Sequence, residues 1–342
     1  MSRTSMSKIA KLAGVSKATV SRAINTPDLV KDSTLEMIRQ IMEKQNYVYD
    51  AVASDLSRQK TSVIGVIIPT IRSSIFADST YGVEEAASQN GYTIIIGNTN
   101  YDIQSSINIL RLMEMRRVAG IVLTGLSDEE RPIVTKICEM GTPCVVTWET
   151  LNSTSFSYVG FDNFKAARAM TNYLISLQHT KIGLIVGPFS KVKRVAQRLA
   201  GYKAALEEHG LSYDPNLVIE TEYSLMEGKE GARALLSLPD PPTAIFAASD
   251  VLAMGAMATI REIGMSVPED ISVAGFDDID FASCCAPPLT TARIPAYEMG
   301  KMAMKVLLEL MKKDSHQVNQ YCLDTNLIIR ESCQVYSGNT TR

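Results

Sequence analysis

The sequence predicts a small all-α head followed by a two-lobed α/β body built on parallel, doubly wound sheets, and three observations carry that expectation. Residues 1–60 read as short helices. From Ser62 onward, runs rich in Val and Ile alternate with helical stretches. The charge changes sign at the same place: residues 1–60 hold ten Lys/Arg against six Asp/Glu, net +4, so a total of -3 leaves -7 on the rest. A basic head on an acidic body points to a polyanionic partner for the head alone.

With 342 residues, 46% hydrophobic and 21% charged, the chain can bury two or three cores, which excludes a disordered protein. No apolar run approaches a membrane span and the polar N-terminus has no signal-peptide core, so a cytoplasmic protein without membrane association is expected. The six cysteines (138, 144, 284, 285, 322, 333) form no CxxC pair and read as buried free thiols.

Within the head, Ser5 or Ser7 can cap a first helix whose Ile9, Ala10, Leu12 and Ala13 supply an apolar face, and Gly14 ends it in a turn. Ser16 can cap a second helix with Val20 and Ile24 pointing inward. A third, roughly 32–44, offers Leu35, Ile38 and Ile41 or Met42 to close the core. This spacing leaves Lys17, Ala18 and Arg22 outward, as a recognition helix presents side chains to base edges in a major groove. Helix N-termini at Ser16 and near Ser33 can hold phosphates, with Thr19, Ser21 and Asn25 as polar supplements.

In the body, "SVIGVII", "YTIIIG", "AGIVLTG", "PCVVT", "KIGLIVG", "PTAIFAAS" and "ISVAGF" are strand-like. Helical stretches such as "FKAARAMTNYLISL" lie between them. Repeated βαβ units imply parallel sheets buried on both faces, with ligands at the C-terminal ends of the strands. About ten strands exceed one small regular sheet, so two lobes with a cleft are expected. "GLIVGPFSK" lacks phosphate-loop spacing, and no GxGxxG follows the first strand. GxSxG and HExxH are absent, and three histidines (179, 209, 316), read as surface residues, leave little for a His-based site. Neither an enzyme nor a cofactor or metal protein is expected.

"MSKIAKLAGVSKATVSRAIN" followed by "YVYDAVASDL" resembles the helix-turn-helix DNA-binding head and hinge of the LacI/GalR family of bacterial transcription regulators. The body resembles the same family through "YVGFDN", "QRLAGYKAAL", "ASDVLAMGAM", "VPEDISVAGFDDIDFA" and "PPLTTARIPAYEMGKMA". The resemblance implies a helix-turn-helix domain over 1–49, a hinge over 50–61 and a periplasmic-binding-protein-like body over 62–342. Lobe 1 then takes about 62–161 and 292–322, and lobe 2 about 162–291 and 323–333. The hinge helix, about 51–58, would wedge Leu56, with Ala53 beside it, into a minor-groove step. Tyr49 and Asp50 replace the family's usual Pro-Asn pair, and Asp55 adds an acid near phosphates, which implies weaker or more salt-sensitive operator binding.

By the same resemblance the cleft holds a small effector on Ile75 and Phe76, Asp162, Arg194 and Arg198, Asp250 and, as a wall, Phe276. Asp250 can also serve as a helix N-cap, and Trp148 either lines the cleft or packs in the core. Carboxylates and arginines beside aromatic faces suit a sugar, and two cleft cations favour a sugar acid. The implied partners are double-stranded operator DNA with an inverted repeat and a second copy of the chain; "QVYSGNTTR" has no leucine heptad for a tetramer. The implied function is repression of a carbohydrate-utilisation operon relieved by an inducer. Corepressor-dependent repression is the alternative within the class, and a solute-binding protein or a sugar-processing enzyme with the same body fold the alternative outside it.

Overall fold

The computed structural model describes residues 4–47, 61–151, 155–312 and 318–338. The hinge helix with Ala53 and Leu56 lies outside the described residues, as does the side chain of Asn25. Residues 1–61 and 62–342 form separate units.

In the head, α1 (Met6–Ala13) is capped by Ser5, whose hydroxyl accepts from the Lys8 N–H at 3.3 Å. Gly14 ends it at φ +63°, a left-handed conformation that a side chain disfavours. α2 (Lys17–Asn25) starts at Ser16, whose Oγ accepts from the Thr19 N–H at 3.1 Å. α3 (Asp32–Lys44) begins after Lys31 with no side-chain cap, so Ser33 lies inside the helix and does not mark its N-terminus. Ile9, Val20 and Ile38, one from each helix, are completely buried and form the centre of the core. Leu12 is 52% exposed, because the apolar stripe of α1 is only wide enough for Ile9, Ala10 and Ala13.

The body holds two parallel sheets. The first runs in the order β2-β1-β3-β4-β5-β11, from β1 (Val63–Ile68), β2 (Thr93–Asn98), β3 (Gly120–Thr124), β4 (Cys144–Thr147), β5 (Ser157–Gly160) and β11 (Gln320–Cys322). The second runs β7-β6-β8-β9, from β6 (Ile182–Val186), β7 (Val218–Glu220), β8 (Ala244–Ala247) and β9 (Ser272–Ala274). β1, β3 and β6 are almost wholly buried runs of branched aliphatics, as strands covered on both faces must be. A short antiparallel pair, β10 (Thr291–Arg293) with β12 (Asn326–Ile328), lies where the chain passes between the lobes.

In lobe 1, α4 (Ser74–Gln89), α5 (Ile103–Met115) and α6 (Arg131–Glu139) follow β1, β2 and β3. In lobe 2, α7 (Asn163–Ser176) precedes β6, and α8 (Lys193–Glu208), α9 (Leu225–Leu236) and α10 (Asp250–Glu262) follow β6, β7 and β8. α11 (Ala296–Leu310) returns to lobe 1 and packs against α4. Glycines set that helix pair: a Cβ on Gly300 would strike the Ser79 carbonyl oxygen, and one on Gly82 the Tyr297 carbonyl. Gly300→Ala is therefore expected to cost the body about 1–3 kcal/mol by forcing the helices apart. An unchanged melting temperature would show that they separate freely.

Two surface expectations change. His179 is 2% exposed, with its ring nitrogens against the Thr243 and Ser272 hydroxyls at 2.9 and 3.1 Å. Its ring stacks on Tyr336, which holds the C-terminal segment against lobe 2. Only Cys144 is fully buried, whereas Cys284 and Cys322 are exposed.

Candidate functional site

The head presents one coherent surface. Ser16, Lys17, Ala18 and Arg22 are exposed on α2 while Val20 and Ala23 on its other face are buried, so the helix offers its N-terminal half outward. Thr19 and Ser21 are half-buried; Thr19 also pairs its hydroxyl with Ser16 at 2.9 Å, which tightens the cap. The arrangement puts two cations and a small apolar side chain where a groove would meet them.

In the body the topology dictates where a ligand can sit. Each sheet reverses its winding beside its first strand, between β1 and β3 in lobe 1 and between β6 and β8 in lobe 2, which leaves a crevice beyond the strand ends. The two crevices share one cleft with two chambers. Both are open to solvent, and counting the solvent at their mouths the inner holds about 320 Å³ of empty space and the outer about 590 Å³, with Tyr101 and Arg194 common to both.

The inner chamber is walled by Ile75 and Phe76 at the start of α4, Ser73 before it, and Trp148 just past β4. Across from them stand Arg194, Arg198, Tyr223, Ser249 and Asp277. Phe76 and Trp148 pack with ring centroids 4.7 Å apart, and Tyr101 meets Tyr223 across the lobes at 5.7 Å. Aromatic contacts continue from Trp148 through Phe161, at the chain crossing, to Phe276 and Phe246 in lobe 2. Trp148 (φ +74°), Tyr101 (φ +58°) and Asp277 (φ +118°) hold left-handed backbone that non-glycine residues avoid, so the scaffold sustains strain at this chamber.

Arg198 is positioned completely. Its Nε donates to Asn163 Oδ1 at 3.0 Å, one Nη donates to the Ala248 carbonyl at 2.8 Å, and the guanidinium lies 3.9 Å from the centre of the Phe276 ring. Asn163 in turn donates to the Trp148 carbonyl at 2.9 Å, which ties the arginine of lobe 2 to the tryptophan of lobe 1. Burial pushes the Asp277 carboxyl up to about 7, against the pull of Arg198, the Ser249 hydroxyl that donates to it, and Arg194. Such a group can accept from a ligand hydroxyl or, once protonated, donate to one. The Trp148 indole N–H is buried and has no partner.

Of the side chains expected to touch an effector, Ile75, Phe76, Arg194 and Arg198 line the inner chamber, and three do not. Asp162 caps α7, accepting from the Lys165 N–H at 2.9 Å, and its neighbour Asn163 reaches the cleft's supports instead. Asp250 is wholly buried, with one oxygen taken by the Thr291 hydroxyl at 2.5 Å and the other by the Ile279 N–H at 2.9 Å. It is the first residue of α10 and not its cap, which is Ser249. Phe276 lies beneath Arg198, one layer behind the wall. Asp278, next in sequence to Asp277, is committed to Arg293 at 2.6 Å and Arg330 at 2.7 Å. Sequence reasoning missed Ser73, Tyr101, Tyr223 and Ser249, and it reads Asp277 and Asp278 only as paired carboxylates a sugar-processing enzyme could use, not as effector contacts; the signal for Ser249 and Asp277 was their position at strand ends.

The outer chamber is polar. Glu149 is 4% exposed, accepts from the Leu126 N–H at 2.7 Å, and burial raises its pKa. Lys193 reaches across the lobes to Asp128 at 2.6 Å. Among the described residues no cluster of His, Cys, Asp and Glu is placed to hold a metal ion, and no helix is long and apolar enough to cross a membrane.

Comparison with known proteins finds relatives for both the head and the body. Residues 5–50 match the profile "Bacterial regulatory proteins, lacI family", and residues 171–333 match a periplasmic binding protein-like domain. The HTH-type transcriptional repressor CytR of Escherichia coli (strain K12) is 34% identical over 96% of this chain and 95% of its own length. The chain belongs to the lacI family. Its fold superposes on the Lac repressor dimer bound to operator and the anti-inducer ONPF, with TM-score 0.86 and 26% identity over 97% of this chain and 100% of that one. It also superposes on the complex of the regulator CelR with cellobiose, with TM-score 0.72 and 29% identity over 96% and 100%. As a member of the lacI family the chain is a DNA-binding transcriptional repressor under effector control, and not an enzyme.

Proposed function

We propose that the protein is a cytoplasmic homodimer that represses a carbohydrate-utilisation operon through an inverted-repeat operator. A sugar or sugar acid in the inter-lobe cleft relieves the repression. The observation that carries this reading is the inner chamber itself. Phe76 and Trp148 offer an apolar ring face opposite Asp277, Ser249 and Arg198, the pairing of stacking surface and directional polar groups that suits a hydroxylated ring. Seven residues of the head carry the DNA contacts in this reading: Ser16, Lys17, Ala18, Thr19, Ser21, Arg22 and Asn25, with Ala53 and Leu56 of the hinge added on the operator.

The dimer is supported by lobe 1, where the edge strand β2 exposes Ile95 and Ile96 and nearby helices expose Tyr81, Leu112 and Met115. Effector binding that favours the closed cleft shifts lobe 1 relative to lobe 2, and in a dimer built on lobe 1 that movement reaches the heads. Operator binding measured by fluorescence anisotropy on the protein's own upstream region, with and without a panel of sugars, sugar acids and nucleobases, tests the proposal. Release by a sugar or sugar acid is the expected outcome. Tightening by a nucleobase would replace induction with corepression, and no DNA binding under any condition would remove the reading altogether.

A further inference from the structure

Arg194 stands out among the polar groups of the cleft. It is 7% exposed, it borders both chambers, and it forms no hydrogen bond or ion pair with any described residue, in contrast to the fully engaged Arg198. One of its terminal nitrogens comes so close to Gly125 across the lobes that a Cβ there would lie 2.9 Å from it, so the glycine leaves room for the guanidinium. Its nearest counter-charges are the carboxyls of Glu149 and Asp277, but neither accepts a hydrogen bond from it, so a buried guanidinium keeps its donors unmade, which is costly.

A second feature converges on the same point. α8 begins at Arg194's neighbour Lys193, its cap residue is Val192, and no side chain caps it. α5, α7 and α9 are capped by Asp102, Asp162 and Ser224, whereas α4, α6, α10 and α11 are uncapped as α8 is, so the open end of α8 matters only because Arg194 stands on it. The Val195 and Ala196 N–H groups donate to the Val192 carbonyl, so it is the N–H groups of Lys193 and Arg194, with the positive end of the dipole, that border the outer chamber, with Lys191 beside them. The Trp148 indole N–H, also buried and without a partner among the described residues, is a further donor at the cleft. The carboxylates that share the outer chamber, Asp102, Glu130 and Glu149, each accept from a backbone N–H. Burial pushes the neighbouring carboxyls of Glu149 and Asp277 toward their neutral forms, which weakens them as counter-charges.

Resting on the inter-lobe effector site proposed above, we infer that the effector carries a carboxylate or a phosphate, and that this group is bound by Arg194 at the uncapped N-terminus of α8. The inner chamber has room for little more than a water between the lobes, so the ring of the effector enters it as the lobes part, and its anionic group projects into the outer one. A neutral hydroxyl satisfies one N–H, but it leaves the guanidinium charge uncompensated; a carboxylate or phosphate answers the charge, the fork of donors and the helix end together.

Matched pairs test the inference on the intact protein by calorimetry at neutral pH: glucose with glucuronate, galactose with galacturonate, glucose with glucose 6-phosphate, and ribose with ribose 5-phosphate. In at least one pair the anion is expected to bind about tenfold or more tightly than its neutral partner, and in Arg194→Gln that advantage falls to about twofold or less. Which arm responds separates carboxylate from phosphate. Ligand-free Arg194→Gln is expected to melt at the same temperature as the parent or higher, since an unpaired buried charge has been removed. The inference is overturned if neutral partners tie or win in every pair, if no anion binds, if Arg194→Gln keeps the preference, or if that variant melts several degrees lower. Release of the operator by a neutral sugar would reject the anionic effector and leave the repressor reading intact.

Discussion

Replacing Lys17 and Arg22 together with alanine is expected to lower operator affinity roughly 100-fold or more, since each good contact to a guanine edge contributes about 1–3 kcal/mol of discrimination. Both side chains are exposed on α2, and neither is tied up within the head. The inward positions Val20 and Ala23 are untouched, and alanine favours helix, so the head keeps its fold. The loss should be much smaller on a scrambled duplex, where only charge is read, and the slope of affinity against salt should become shallower. Anisotropy titrations on both duplexes, with circular dichroism as the control, decide the matter. A loss below about threefold on the operator would mean that α2 is not the reading helix.

The sequence carried the architecture well because the architecture depends on patterns that extend over many residues. Val/Ile runs at βα spacing predict parallel strands wherever both faces are covered, and β1, β3, β6 and β8 are buried along nearly their whole length. The caps at Ser5 and Ser16 and the turn at Gly14 were equally legible, since each follows from a single local geometry.

The cleft was legible only to the nearest stretch. Asp250 was expected where Ser249 stands, Phe276 where Asp277 stands, and Asp162 where Asn163 supports the site. Neighbouring side chains point to opposite faces in a strand and lie about 100° apart around a helix, so a shift of one position exchanges a ligand contact for a buried support. Tyr101 and Tyr223 were missed for another reason: they follow β2 and β7 in loops, and nothing local shows that the two loops meet across the lobes. Leu12 and His179 failed through tertiary context, one left outside a narrow helical stripe and the other enclosed by the C-terminal segment.

Asp250, buried behind the chamber wall, is expected to make the stability of the body depend on pH. Burial and the nearby Asp277 push its carboxyl from 3.8 up to about 8, although Thr291 and the Ile279 N–H both favour the ion. Between those values the native chain keeps a proton that the unfolded chain releases. Its stability is therefore unpenalised at acid pH and falls as pH rises from about 4 to about 8. Asp277, at about 7, acts with the same sign. His179, whose burial lowers its pKa, acts oppositely and costs stability only as pH falls below its ordinary 6.5. Asp250→Asn retains an acceptor for the Ile279 N–H and can donate to the Thr291 hydroxyl, but it cannot ionise. It is expected to melt near the parent at about pH 5 and several degrees above it at about pH 8. Equal destabilisation at both pH values would show that the carboxylate carries no ionisation penalty. Because Asp250 fixes the backbone at Ile279, two residues past Asp277, its charge state also bears on the geometry of the cleft, and effector affinity in the parent should weaken over the same range in which the body loses stability.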